Sequence, residues 1–154
     1  MHNLPLGKAM AVITKNYYGA LSKRIEHLGI DRHFTTLLLI DSAKEKCTQQ
    51  YLSDTLNCNK VIMVKMLDYL VDKKMITRKT NTEDRRERII ELTNKSKKII
   101  PLIRKGIEDM NDIALKGFTK KEQELFKKFL EKTLVNLENL PVNAVDIKFK
   151  KQLK

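Results

Sequence analysis

The side chains that could do chemistry in this sequence are mostly cations. From Asn59 to Lys105 stand 14 Lys and Arg against 6 Asp and Glu, a net of 14 − 6 = +8. The whole 154-residue chain carries +12, so two-thirds of the excess lies in under a third of its length. A surface of that sign attracts polyanions through Coulomb energy and counterion release. Groups for covalent or metal chemistry are scarce. Two cysteines, Cys47 and Cys58, and three histidines show no zinc-ligand spacing. There is no Gly-rich phosphate loop, no Gly-x-Ser-x-Gly and no His-Glu-x-x-His. The acids Glu83 and Asp84 stand among arginines, where salt bridging explains them. The sequence argues against an enzyme and implies no cofactor and no metal. The expected partner is DNA, RNA or a lipid surface.

The elements around these cations are readable from periodicity. Thr48 is a good N-cap for a short helix, Gln49 to Leu56. Asn57 suits the left-handed conformation of a tight turn. A longer helix, Asn59 to Lys73, follows, with Met63, Met66, Leu67 and Leu70 as its apolar stripe. Short helix, tight turn and longer helix make a helix-turn-helix. Met75–Lys79 and Arg88–Leu92 are rich in β-branched residues and flank a polar stretch, Thr80 to Glu87. They predict a β-hairpin with a charged tip, a wing.

The flanks are helical. Residues 6–28 form an amphipathic pattern ended by Gly29. Asp31 is the expected cap of a second helix reaching about Lys46. A long helix is expected from Thr93 to about Leu115, bent at Pro101, which removes the bond to the carbonyl of Lys97. Thr119-Lys120-Lys121-Glu122 is a capping box for the last helix, which ends at Pro141. Leu125, Phe126, Phe129, Leu130, Leu134 and Leu137 cover more than one narrow stripe there, as expected of a helix with more than one neighbour. The tail to Lys154 is basic without a clear period.

On the second helix of the motif, Asn59 and Lys60 stand at the start, and Lys65 lies off the apolar stripe. Val61, Ile62 and Val64 also lie largely off it, although β-branched residues are not the best helix formers. Two alternatives are open: contact with thymine methyls in a major groove, or packing of Ile62 on a neighbouring helix with Val61 incidental. Arg85 and Arg86 at the wing tip suit a narrow, electronegative minor groove. Asp84 beside them would steady the tip.

Residues 47–93 resemble the MarR family of bacterial winged-helix repressors. The stretch Asn81-Thr82-Glu83-Asp84-Arg85-Arg86 followed by Ile89-Ile90-Glu91-Leu92-Thr93 is similar to the family's wing signature. Asn59 to Arg78 is similar to its recognition helix running into the first wing strand, and the flanking helices match its layout. The resemblance implies a mainly α fold with a small β-hairpin, a winged helix-turn-helix between N- and C-terminal dimerisation helices. It implies a homodimer on a palindromic operator in double-stranded DNA. By this resemblance Thr48 lies near phosphate, Asn59, Lys60, Val61, Val64 and Lys65 face the major groove, and Asp84 and Arg86 are the paired wing residues. Gln49, Arg78, Lys79 and Arg85 are further candidate DNA contacts. Three positions depart from the family pattern: Asn81 stands where Asp is frequent, β-branched residues replace small hydroxylated ones at 61, 62 and 64, and Lys74 takes a C-cap glycine position.

The expected organisation is a single domain, 1–154, with a DNA-binding lobe at 31–93, dimerisation helices at 5–29 and 94–140, and a basic tail at 141–154. The resemblance also implies release of DNA by a small phenolic or lipophilic effector. Tyr17, Tyr18, His33 and Phe34 are the candidate lining of such a site. Redox control is disfavoured, because the family's sensing cysteine lies in the first helix and none is there. The longest apolar run, Leu37 to Ile40, is far below the roughly 20 residues of a membrane span. With no signal peptide, a cytoplasmic transcriptional regulator, a repressor, is expected. The competing class is a winged helix that binds RNA, protein or non-specific DNA without regulating transcription.

Overall fold

Helix boundaries around the central motif are set by side chains that satisfy backbone donors and by residues that accept positive φ. A computed structural model of the chain describes residues 5–31, 33–43, 46–81, 87–138 and 140–141. The elements are α1 (Leu6–Arg24), α2 (Phe34–Ser42), α3 (Gln49–Thr55), α4 (Lys60–Asp72), β1 (Ile76–Thr80), β2 (Arg88–Leu92), α5 (Asn94–Ala114) and α6 (Lys120–Glu138), with a short 3₁₀ turn at Glu26–Leu28 after α1. The fold is mainly helical with one antiparallel hairpin, a winged helix-turn-helix.

Thr48 caps α3, its hydroxyl accepting from Tyr51 N at 3.1 Å. Asn59 caps α4, its Oδ1 accepting from Ile62 N at 2.9 Å. Asn59 is therefore the cap and not the first helical residue. Between the helices Asn57 takes φ 46. Asn57 N donates to Asp54 O and Cys58 N to Ser53 O, a Schellman closure. The same motif ends α4. Lys74 takes φ 58, with Lys74 N on Val71 O and Met75 N on Leu70 O, both at 2.8 Å. The glycine expected there is absent, yet the conformation is kept.

The described residues divide into two compact units. One is Leu21–Glu108, and the other is made of the described residues within 1–20 and 109–154. The first holds the core: Leu21, Leu37, Leu52, Met63, Leu67, Leu70 and Ile103 have no exposed surface. Of the stripe expected on α4, Met63, Leu67 and Leu70 are buried, while Met66 is half-buried and its sulfur accepts the Thr36 hydroxyl at 2.8 Å. Gly106 belongs to this core for a steric reason, since a Cβ there would lie 2.9 Å from Ile25 Cγ2. Register in the hairpin pairs Ile76 with Leu92, Arg78 with Ile90 and Thr80 with Arg88. In the second unit, Met110 is the one buried residue among those described. Tyr17 Oη donates to Asn111 Oδ1 at 2.7 Å there. The capping box of α6 is formed: Thr119 N and Oγ1 donate to Glu122, which holds that carboxyl below its ordinary pKa.

Three expectations are corrected. Asp31 does not cap α2. It takes φ 45, and its carboxylate accepts the Tyr69 hydroxyl at 2.5 Å, while His33 occupies the cap position and its side chain does not cap the helix. The second helix stops at Ser42, short of Lys46, because Ala43 turns extended and the chain goes on to pair with the hairpin. Ile90 N donates to Cys47 O at 2.8 Å, and Thr48 bridges Ile89. The first helix ends at Arg24, and the 3₁₀ turn completes it before left-handed Gly29. α5 runs through Pro101.

Lys74 yields a stability prediction. A left-handed L-residue costs about 1–2 kcal/mol. Glycine relieves that and gives back about 0.4–1 kcal/mol as unfolded-chain freedom. Lys74→Gly is expected to stabilise by roughly 0.5–1 kcal/mol, read as a higher urea midpoint at unchanged m-value. Lys74→Val should lower the midpoint.

Candidate nucleic-acid interface

The outer surface of α4 is built by subtraction. Met63, Leu67 and Leu70 turn into the core, which leaves Lys60, Val61, Ile62 and Lys65 in water. Val61 is 64% and Ile62 49% exposed, whereas Val64 is half-buried. Ile62 therefore belongs to this surface more fully than Val64 does, although the family layout points to Val64. Among the described residues neither Lys60 nor Lys65 has an ion-pair partner, so both keep a full charge available to an anion. Thr48 and Gln49 are half-buried at the start of α3, and the Thr48 hydroxyl oxygen is engaged in the cap.

The hairpin cations are arranged differently. Strand alternation sends Arg78 and Lys79 to opposite faces. Arg78 turns toward α4 and pairs with Asp68 at 2.7 Å. Lys79 lies with Glu91 at 2.6 Å on the other face. The two expected wing contacts thus do not share one surface, and both are partly neutralised. Exposed pairs of this kind are weakly held, so either cation can change partners at small cost. Asp84, Arg85, Arg86 and the tail from Val142 lie outside the described residues.

Below the tip, Asn81 closes the hairpin. Its N donates to Glu87 O at 3.1 Å, and its Nδ2 to Glu87 Oε2 at 3.0 Å. Arg88 reaches Thr80 Oγ1 beside it. Asn81 is buried, and its departure from the family's frequent Asp has a local reason: an Asp would set two carboxylates against each other. Sequence reading treated Asn81 as a departure without a role; a small amide at the exit of β1, six residues before Glu87, is the signal it offered.

The four candidate effector residues are placed separately. Tyr17 and Tyr18 meet edge-to-face at 5.6 Å between centroids in one unit. In the other, His33 lies against the Tyr69 ring at 4.6 Å and Phe34 is buried in the core. The Asp31 hydrogen bond, with burial, pushes Tyr69 up to about 12. A surface cavity of about 540 Å³ in the Leu21–Glu108 unit is lined by Ile40, Asp41, Cys47, Ile90, Leu92 and Lys97, among others, and by none of these four. Burial pushes the Cys47 thiol up to about 11 and raises that of Cys58. That is opposite to the lowering a helix start can give, so both thiols are protonated near neutral pH. No cluster of metal-ligating side chains occurs among the described residues.

Residues 31–87 match the family model described as MarR family. The chain is similar to the transcriptional regulator PA3341, at 27% identity over 88% of this chain and 100% of that one, with a TM-score of 0.75. It is similar to wild-type MarR from E. coli in its apo form, at 25% identity over 86% and 98%, with a TM-score of 0.72. The fold also matches S. aureus MepR, solved as a complex with DNA, at 20% identity over 88% and 100%, with a TM-score of 0.82.

The Asn81–Glu87 clamp is open to test. Asn81→Asp should destabilise by about 1 kcal/mol at pH 7, since the lost charge-assisted bond is worth a little more than that and Glu87 is exposed. Repulsion raises both carboxyl pKa values, so the penalty is present above them and fades as pH falls through them. Adding Glu87→Gln should restore stability at pH 7. Urea midpoints at pH 7 and pH 4 check both statements.

Proposed function

We infer that this chain is a regulator of the MarR type, whose family model matches residues 31–87, and that it is a sequence-specific, double-stranded-DNA-binding transcriptional regulator. It acts as a homodimer on a palindromic operator and represses by occupying it. The observation that carries this is the exposed face of α4: Lys60 and Lys65, which have no ion-pair partner among the described residues, flank exposed Val61 and Ile62 on the second helix of a helix-turn-helix. In such motifs the start of the second helix meets base edges in the major groove. The lysines supply phosphate attraction there. Asp84, Arg85 and Arg86 extend the contact along the groove as the wing tip, and Arg78 and Lys79 follow by exchanging their acidic partners for phosphates.

Homodimerisation is supported by the state of α6. It has no buried residue, and Phe129, Leu134, Val135 and Leu137 are more than half exposed. An apolar surface this continuous on a terminal helix marks an association site. Its unit has almost no core of its own, so a second copy supplies the missing partner and the two-fold symmetry that a palindrome needs. Effector release is inferred from the family resemblance, with Tyr17 and Tyr18 as the aromatic residues nearest to such a role. No described helix is long and apolar enough to cross a membrane. The proposed site of action is the cytoplasm, which follows from the proposed DNA partner.

Two measurements check this. Selection from a random duplex pool at near-physiological salt should return a palindromic consensus. Retention without a consensus, or preference for single-stranded RNA, would sink the sequence-specific regulator. On the selected duplex, Lys60→Ala and Lys65→Ala should each flatten the plot of log affinity against log salt by about one unit. In sedimentation, the chain should run as a dimer, and Phe129→Asp with Leu134→Asp should give a folded or partly folded monomer that no longer retains the duplex.

A further inference from the structure

We propose that Val61 and Ile62 are specificity-determining residues that read thymine C5-methyl groups, so that each operator half-site carries thymines under the first turn of α4. The proposal rests on the DNA-binding function above. Both side chains stand in the first turn of α4, immediately after the cap. Both are exposed, at 64% and 49%, while the core stripe one face away is fully buried. What sets Val61 and Ile62 apart is their position: they are exposed on the second helix of the helix-turn-helix, where such motifs meet base edges. Lys60 and Lys65 on either side draw that patch toward phosphate.

The chemistry of the patch selects what it can meet. Val61 and Ile62 offer no donor or acceptor. Pressed on a guanine or cytosine edge, they would strand its polar groups. In the major groove the thymine C5-methyl is the apolar feature, and it is what these side chains can cover without that cost. β-Branched side chains are nearly fixed at χ1 in a helix, so little rotamer freedom is lost on contact. The nearest polar reader is already committed. Asn59 Oδ1 accepts from Ile62 N at 2.9 Å, and a bidentate contact with adenine needs that oxygen together with the amide donors. While Asn59 caps the helix, its amide oxygen is not free for that contact, and Val61 and Ile62 are the apolar readers left at this turn.

The test replaces thymines in the selected duplex by deoxyuridine one at a time, which removes only the methyl and keeps pairing. At one or two positions per half-site the full-length protein should bind about three- to fivefold more weakly, the value of one buried carbon. A Val61→Ala/Ile62→Ala variant should bind thymine and uracil duplexes alike at those positions. Its helix is safe, because both sites are exposed and alanine is the better helix former, and circular dichroism confirms it. Equal binding of thymine and uracil duplexes by the unsubstituted protein overturns the methyl-reading role while leaving the regulator intact. A protein with no duplex preference at all overturns both together.

Discussion

The Thr93 junction is the constraint on which the winged unit depends. Its hydroxyl donates to Lys74 O at 2.8 Å and accepts from Ser96 N at 3.3 Å. Its N donates to Met75 O at 3.0 Å. One residue therefore joins the end of α4, the start of β1, the end of β2 and the cap of α5. Lys95 Nζ adds a bond to Lys73 O at 2.9 Å across the same joint, and Ser96 is fully buried beneath it. Left-handed Lys74 is the conformational cost of turning the chain here. The direction in which α4 presents its outer face and the direction in which the hairpin leaves it are fixed at this one point.

From that joint the division of labour follows. The inner stripe of α4 is spent on the core, so its outer face is free for charge and for apolar contacts that face water. The hairpin is anchored by backbone: Cys47 O takes Ile90 N from the entry to α3, while the Asp68–Arg78 pair toward α4 is exposed and exchangeable. The start of α3 and the wing strand are thereby linked through backbone, which is stiffer than any pair of exposed ions. Positioning rests on hydrogen bonds made to backbone groups, and the surface cations are left to move between partners.

Much of this was legible in the sequence because it lies in local rules. Thr48, Asn57 and the Thr119–Glu122 box are short-range signals, and each forms in the structure. The α4 stripe follows from period alone. What was not legible depends on residues far apart in the chain. Asp31 reads as a cap, yet Tyr69, 38 positions on, takes its carboxylate. The end of the second helix is set by pairing of Cys47 with Ile90, which no local pattern encodes. Asn81 became intelligible only when Glu87 was seen opposite it. Of the interface, the composition of the α4 face could be read, but the opposite facing of Arg78 and Lys79 required the strand register.

The central claim is a two-fold symmetric reading of DNA by two copies of this α4 face. Hydroxyl-radical footprinting on a selected duplex tests it most directly. Two equivalent protected patches are expected on one face of the helix, related by a dyad and about 10 base pairs, one turn, apart. A single asymmetric patch, or uniform protection along the duplex, would contradict the claim.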